Sequence, residues 1–194
     1  MPPKKKYTRE QIVDAAYELV RTRGEEAFSA RNVADALDTS TAPIFTAFAN
    51  IEELFGAVVE RAKETYTNEY IAKGLGEVLP FKGAGRQYIR FAKEEPMLFR
   101  MLFMRGAGAV HSHYMPQDDE NEAAVRDALC RTHGIDSETA KKIYNHLSVY
   151  CHGLATLFAQ GSRIFTDEDI DCMLVEIFVA IKEWFLHGGK EEKV

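Results

Sequence analysis

No run of apolar residues in this chain approaches the ~18 that a membrane-spanning helix needs, and the N-terminus lacks the apolar stretch of a secretory signal peptide. No membrane partner is therefore expected, and the chain reads as cytoplasmic. Cysteine is scarce. Cys130, Cys151 and Cys172 are odd in number, far apart and in no CxxC pair, which argues against a disulfide or zinc framework and fits buried thiols in a reducing compartment. Catalytic signatures are missing too: there is no Gly-rich phosphate loop, no HExxH, no nucleophile elbow and no plausible carboxylate pair. Neither an enzymatic activity nor a cofactor is expected. His111 and His113 flank Ser112 in a loop, but a metal ion would need two further ligands. His146 and His152 are six apart on one helix, hence on different faces, so no metal site is expected there either. Low complexity is confined to PPKKK at the start and GGKEEKV at the end, with no internal repeat.

What is present suits a globular protein of 194 residues, 46% hydrophobic and 28% charged, long enough for one sizeable core or two small domains. The net charge of −6 argues against a generally basic, non-specific nucleic-acid binder. That charge is unevenly placed. Residues 1–50 hold seven basic and seven acidic side chains, so the remainder carries the whole excess. A neutral head with a basic arm, Lys4, Lys5 and Lys6, on an acidic body would turn its head toward phosphates.

Helical signals punctuate the head. Thr8 and Gln11 have capping-box spacing, Ile12, Ala15, Ala16, Leu19 and Val20 form one apolar face, and Gly24 is placed to end the helix. Ser29 caps a second helix with Ala30, Val33, Ala34 and Leu37 inward, and Ile44, Phe45 and Phe48 mark a third. Pro43 restricts the start of that third helix to about Thr39 to Ala42, so it is short. Between the two lies Asp38-Thr39-Ser40-Thr41, whose hydroxyls are expected to cap the third helix and meet an anionic partner. Asn50 caps a fourth helix with Glu53 at N3. Ile51, Leu54, Phe55, Val58 and Ala62 run down its buried side, and it is expected to reach about Lys73, ended by Gly74 and Gly76. The spacing of Ser29 to Phe48 is that of a helix-turn-helix, whose second helix enters the DNA major groove.

TREQIVDAAYELVRTRG, FSARNVADAL, STAPIFTAF and NIEEL, in that order and at those spacings, resemble the TetR family of bacterial transcriptional regulators over residues 8–55. The resemblance implies an all-α homodimer that binds a palindromic double-stranded DNA operator, mostly as a repressor, and releases it when a small molecule enters a C-terminal pocket. Asp38 stands where the family usually has Gly, and Asp tolerates a left-handed backbone. Phe45 replaces a usual Tyr that reaches a phosphate, Ala47 a frequent His and Ile51 a common Lys. Phosphate and base contacts are therefore expected from Ser29, Arg31, Thr39, Ser40, Thr41 and Thr46, with Lys5 and Lys6 of the arm and with Ala42 and Phe45 on the recognition helix. The same losses leave room for an alternative, a helical-bundle interaction dimer whose head has weak or lost DNA binding.

Residues 51–194 then form a C-terminal ligand-binding and dimerisation domain after a head of residues 1–50, with 51–73 as the linking helix. Phe81 to Glu95 reads as a helix stopped by Pro96. Met97 to Met104, apolar except for Arg100, is expected to be buried on nearly all sides or to line a cavity. Arg105 to Gln117 reads as a loop and Asp118 to Thr132 as a helix ended by Gly134. Tyr88, Phe91, Phe99, Phe103, His146 and Tyr150 are candidate pocket residues for an apolar, aromatic or amphipathic effector of low specificity. In the last two helices, Ala140, Tyr144, Leu147, Cys151, Leu154 and Phe158, and then Ile170, Leu174, Ile177, Ile181 and Trp184, step by threes and fours as heptad seams. With Phe178 and Phe185 beside the second seam, Tyr144, Leu147, Cys151, Leu154, Phe158, Leu174, Ile177, Ile181 and Trp184 are expected to pair two copies as a four-helix bundle. An intrachain core would use the same pattern.

Overall fold

The computed structural model describes residues 7–77, 79–104 and 120–187, and among them all regular structure is helical. The lysine arm with Lys5 and Lys6, and the loop with His111 and His113, lie outside the described residues. Contacts divide the chain into two compact units, residues 1–65 with 97–112 and residues 66–96 with 113–194.

In the first unit, α1 (Arg9–Arg23) opens with the expected capping box. The Thr8 hydroxyl accepts from the Gln11 N–H at 3.2 Å, and the Thr8 N–H reaches the Gln11 side chain at 3.0 Å. Gly24 ends it with φ +84°, a conformation that L side chains rarely adopt. Ser29 caps α2 (Ala30–Ala36) through the Asn32 N–H at 3.2 Å, and α3 (Ala42–Ala47) follows with Pro43 in its first turn. Asn50 caps α4 (Ile51–Thr65) through the Glu53 N–H at 2.8 Å. Ile12, Ala16, Val20, Val33, Ile44, Leu54 and Val58 are fully buried, and each large aliphatic side chain so placed contributes about 1.5–3 kcal/mol relative to exposure. The Phe28 and Phe55 rings meet edge to face at 5.0 Å.

α7 (Pro96–Phe103) joins this unit from Met97 onward. It is not buried on nearly all sides, as its density of apolar residues suggested. Leu98, Phe99 and Met101 are buried, Arg100 is exposed, and the other apolar side chains are only half-buried. Eight residues make two turns with one inward face, and composition cannot enlarge that face.

The helix expected to run from Ile51 to about Lys73 is continuous but not uniform. After Thr65 it widens into a π-helical segment, Tyr66–Ile71, and returns to α-helix in α5 (Ala72–Leu75), with Gly76 as C-cap. The change of unit falls at the start of the π segment. Gly74 is not a stop signal. It is buried inside α5 where a Cβ would lie 2.5 Å from the Gly83 carbonyl carbon and 2.6 Å from the Ala84 nitrogen, so it allows two helix backbones to touch.

The second unit adds α6 (Pro80–Glu94), α8 (Glu120–His133), α9 (Ser137–Ala159) and α10 (Asp167–Leu186). α6 carries the small run Gly83-Ala84-Gly85. A Cβ on Gly85 would come 3.1 Å from the Cys151 sulfur, so α9 also approaches closely. Asp136 caps α9 through the Glu138 and Thr139 N–H groups at 3.0 Å, and Thr166 with Asp169 forms a capping box on α10.

The heptad seams run largely into the chain's own core. Leu147, Cys151, Leu154, Phe158 and Leu174 are between 0% and 6% exposed within a single chain. Tyr144, Ile177, Phe178, Ile181 and Phe185 pack against the core cluster containing Ile143 and Leu147. Of the residues named for pairing two copies, Trp184 alone stays open, at 59%. A heptad pattern identifies the apolar face of a helix but not the helix it meets. The exposed apolar positions form different stripes, Val149, Gly153 and Leu157 on α9 and Cys172, Val175, Val179 and Leu186 on α10, at steps of three, four and seven.

Candidate nucleic-acid interface

The turn between α2 and α3 is closed by main-chain bonds, the Leu37 N–H to Val33 O and Ala34 O and the Thr39 N–H to Ala34 O. Asp38 supplies the left-handed residue this geometry demands, with φ +51°, the position at which the sequence departs from Gly. The Tyr7 hydroxyl donates to the Leu37 carbonyl and ties the start of the chain to the same turn.

The three hydroxyl residues do not cap α3 as expected. Thr41 holds the N-cap position with φ −69° and ψ −12°, already helical, and its side chain makes no capping bond. A capping side chain needs an extended backbone to reach the N2 or N3 amide. The Thr46 hydroxyl donates to the Ala42 carbonyl at 2.8 Å, so in this rotamer its proton is directed into its own helix. Ser29 keeps a proton to donate, since it only accepts from Asn32. Arg31, Ser40, Ala42, Phe45 and Thr46 are exposed, and Ser29, Thr39 and Thr41 are half-buried beside them. Phe45 is 52% exposed, an aromatic side chain standing outward on a six-residue helix.

A positioning residue was not legible in the sequence. Arg9 on α1 donates to the Ala47 carbonyl at 2.7 Å, pairs with Glu53 at 2.9 Å and lies 4.0 Å over the Phe48 ring. It thus joins the end of α3 to the beginning of α4. Glu53 also accepts from the Ala49 N–H at 2.7 Å, and that bond, with Arg9, holds its carboxyl below the usual range. The partners are 38 and 44 residues from Arg9, beyond any helical period.

The candidate pocket residues are divided between the two units. Phe99 is fully buried in the first unit, its ring 5.2 Å from Phe103, whereas Tyr88, Phe91, His146 and Tyr150 belong to the second. In the second unit, Phe91 is fully buried and packs against Tyr66 and Tyr70 of the π segment at 5.3 and 5.1 Å. The Tyr88 hydroxyl lies 2.9 Å from His152 Nδ1, and burial pushes its pKa well up. His146 is exposed rather than inward, because it sits on the outer side of α9, 5.7 Å from the Phe185 ring. Tyr150 is half-buried.

A three-helix core that holds a short helix at the surface behind a left-handed turn defines a helix-turn-helix DNA-binding protein. Residues 12–58 match the family model described as bacterial regulatory proteins, tetR family. The match covers the head of the chain and identifies that part as a DNA-binding domain of the tetR family type. No curated protein matches it in sequence. A crystal structure assigned as a transcriptional regulator from Streptomyces coelicolor A3(2) is similar at 20% identity and TM-score 0.51, covering 93% of this chain and 98% of the other, which shows a shared fold.

Proposed function

We propose that this protein is a cytoplasmic homodimeric repressor, without enzymatic activity, that binds a palindromic operator and releases it when a small apolar or amphipathic molecule binds the second unit. The observation that carries the reading is Phe45, exposed on a recognition helix whose far end Arg9 fastens to α4. An outward aromatic ring suits thymine methyl groups in the major groove, with Ser29 and Arg31 available for phosphates. The lost tyrosine hydroxyl then costs one phosphate contact without removing the reading element.

The exposed stripes on α9 and α10 support a dimer by a different surface from the seams, with Gly153 admitting close approach of a second backbone. Two recognition helices about 34 Å apart enter successive major grooves, so a small change in their spacing weakens both contacts together. Release follows only from a ligand's differential affinity for the two spacings. The proposed division of labour is a reading head, a linking helix from Ile51 onward and a ligand-binding, dimerising remainder. Fluorescence anisotropy with DNA from the protein's own promoter tests the regulator reading. Affinity at moderate salt well above that for random sequence supports it, and equal affinity refutes it.

A further inference from the structure

A groove of about 250 Å³ opens in the second unit between the start of α6, the last turns of α8 and the middle of α10, away from Tyr88, Phe91 and His152. Its floor is dry. Ala128, Leu129 and Leu174, between 0% and 5% exposed, line it. One wall is aromatic: the Phe81 and Phe178 rings lie 5.4 Å apart and 24° from parallel, and the His133 ring sits 5.0 Å from Phe178, tilted by 47°. The volume falls just under the ~300–1,000 Å³ of sites for drug-sized ligands, which suits one or two rings.

The rim carries one sign of charge. Lys82 is committed, 3.1 Å from Asp171, a carboxylate that Arg86 also holds at 3.0 Å. Lys182 is different. It lies 6.0 Å over the Phe178 ring, and its carboxylate partner at 3.2 Å is the neighbouring Glu183, itself 47% exposed, a kind of pair that contributes little. Burial and Lys182 together lower the His133 pKa, so at neutral pH its ring is uncharged and offers an N–H rather than a second cation.

We propose that this groove is a binding site for a small aromatic carboxylate, its ring stacked on the Phe81–Phe178 wall over the Leu129 and Leu174 floor and its carboxylate at Lys182. An apolar floor takes the ring out of water, and an exchangeable cation at the edge takes the charge without stranding it. Val175 and Val179, from the exposed stripe of α10, also line the groove, so an occupant would adjoin the surface proposed for dimerisation. Only that regulatory consequence rests on the repressor reading; the binding does not.

Calorimetric titration of the full chain with 1-naphthoate and with the neutral 1-naphthalenemethanol tests the site. The expected result is one naphthoate per chain, bound at least tenfold more tightly than the alcohol. Lys182→Gln should bring the two within about twofold, and Ala128→Leu should weaken both. No binding, equal affinity for acid and alcohol, or a Lys182→Gln variant with unchanged naphthoate affinity overturns the proposal. So does absence of binding by a protein that is dimeric in the cell, which assigns the groove to a second copy. Promoter-DNA anisotropy on the same samples keeps the two readings apart. Lost ligand binding with specific DNA binding retained removes the site alone, and naphthoate binding with no DNA preference removes the repressor reading alone.

Discussion

Gly74→Ala should destabilise the protein, whereas the same change at Gly56 should stabilise it. Both glycines lie in the helical run from Ile51 to Leu75, where replacing glycine by alanine gains about 0.8–1 kcal/mol of helix propensity. Their surroundings decide the sign. A Cβ at Gly56 meets nothing within 4 Å, so the gain is kept. A Cβ at Gly74 would lie 2.5 Å from both the carbon and the oxygen of the Gly83 carbonyl, and 2.6 Å from the Ala84 nitrogen. All three are backbone atoms of α6, which cannot rotate away as a side chain would, so the helices must separate by about 1 Å. Overpacking of this kind costs about 1–3 kcal/mol, occasionally more, and a backbone clash belongs at the upper end. Against the propensity gain, Gly74→Ala should lose about 2 kcal/mol net, a fall of roughly 4–8 °C in Tm at about 2–4 °C per kcal/mol for a chain of this size. Gly56→Ala should rise by roughly 2–4 °C on the same scale. Circular dichroism melts of the three proteins side by side provide the measurement. A Gly74→Ala protein that melts at or above the parent temperature would refute backbone contact between α5 and α6.

At the head, Phe45→Ala should leave helical content unchanged and weaken promoter DNA by about tenfold, since burying the exposed half of the ring against bases contributes about half of the ~1.5–3 kcal/mol of a fully buried Phe; Arg9→Met should weaken it too, both read by anisotropy at fixed salt. Phe45→Tyr should bind more tightly and more salt-dependently if the restored hydroxyl meets a phosphate. Val179→Glu on the exposed stripe of α10 should yield monomers in analytical ultracentrifugation, while Val149→Glu does the same from α9; dimers in both would refute that surface. Acid stability follows from Glu53, Asp136 and Asp169, which hydrogen bonds hold below their ordinary values of 4.5, 3.8 and 3.8. Because the folded pKa is the lower one, their stabilisation is present above about pH 4.5 and is lost as pH falls through the folded values. Tm should therefore fall below that range, and the fall should be shallower in an Asp136→Asn, Asp169→Asn double variant.

What the sequence determined by itself is local. Thr8 with Gln11, Ser29, and Asn50 with Glu53 each cap a helix because a capping bond spans only two or three residues. The left-handed turn at Asp38, the brevity of α3 and the family of the head are legible for the same reason, being short-range patterns of residue type. The π segment at Tyr66–Ile71 left no comparable mark, since no residue type in it dictates a wider turn. Tertiary structure decided every question of which face meets which partner. The seams through Leu147 and Leu174 turned into the chain's own core, leaving Val149, Leu157, Val175 and Val179 outside. Arg9 found Ala47 and Glu53 across a distance in sequence that no periodicity spans. Gly74 became a contact rather than a stop because another glycine stood opposite it. Burial and close approach are properties of pairs of surfaces, and a single strand of residue types specifies only one member of each pair.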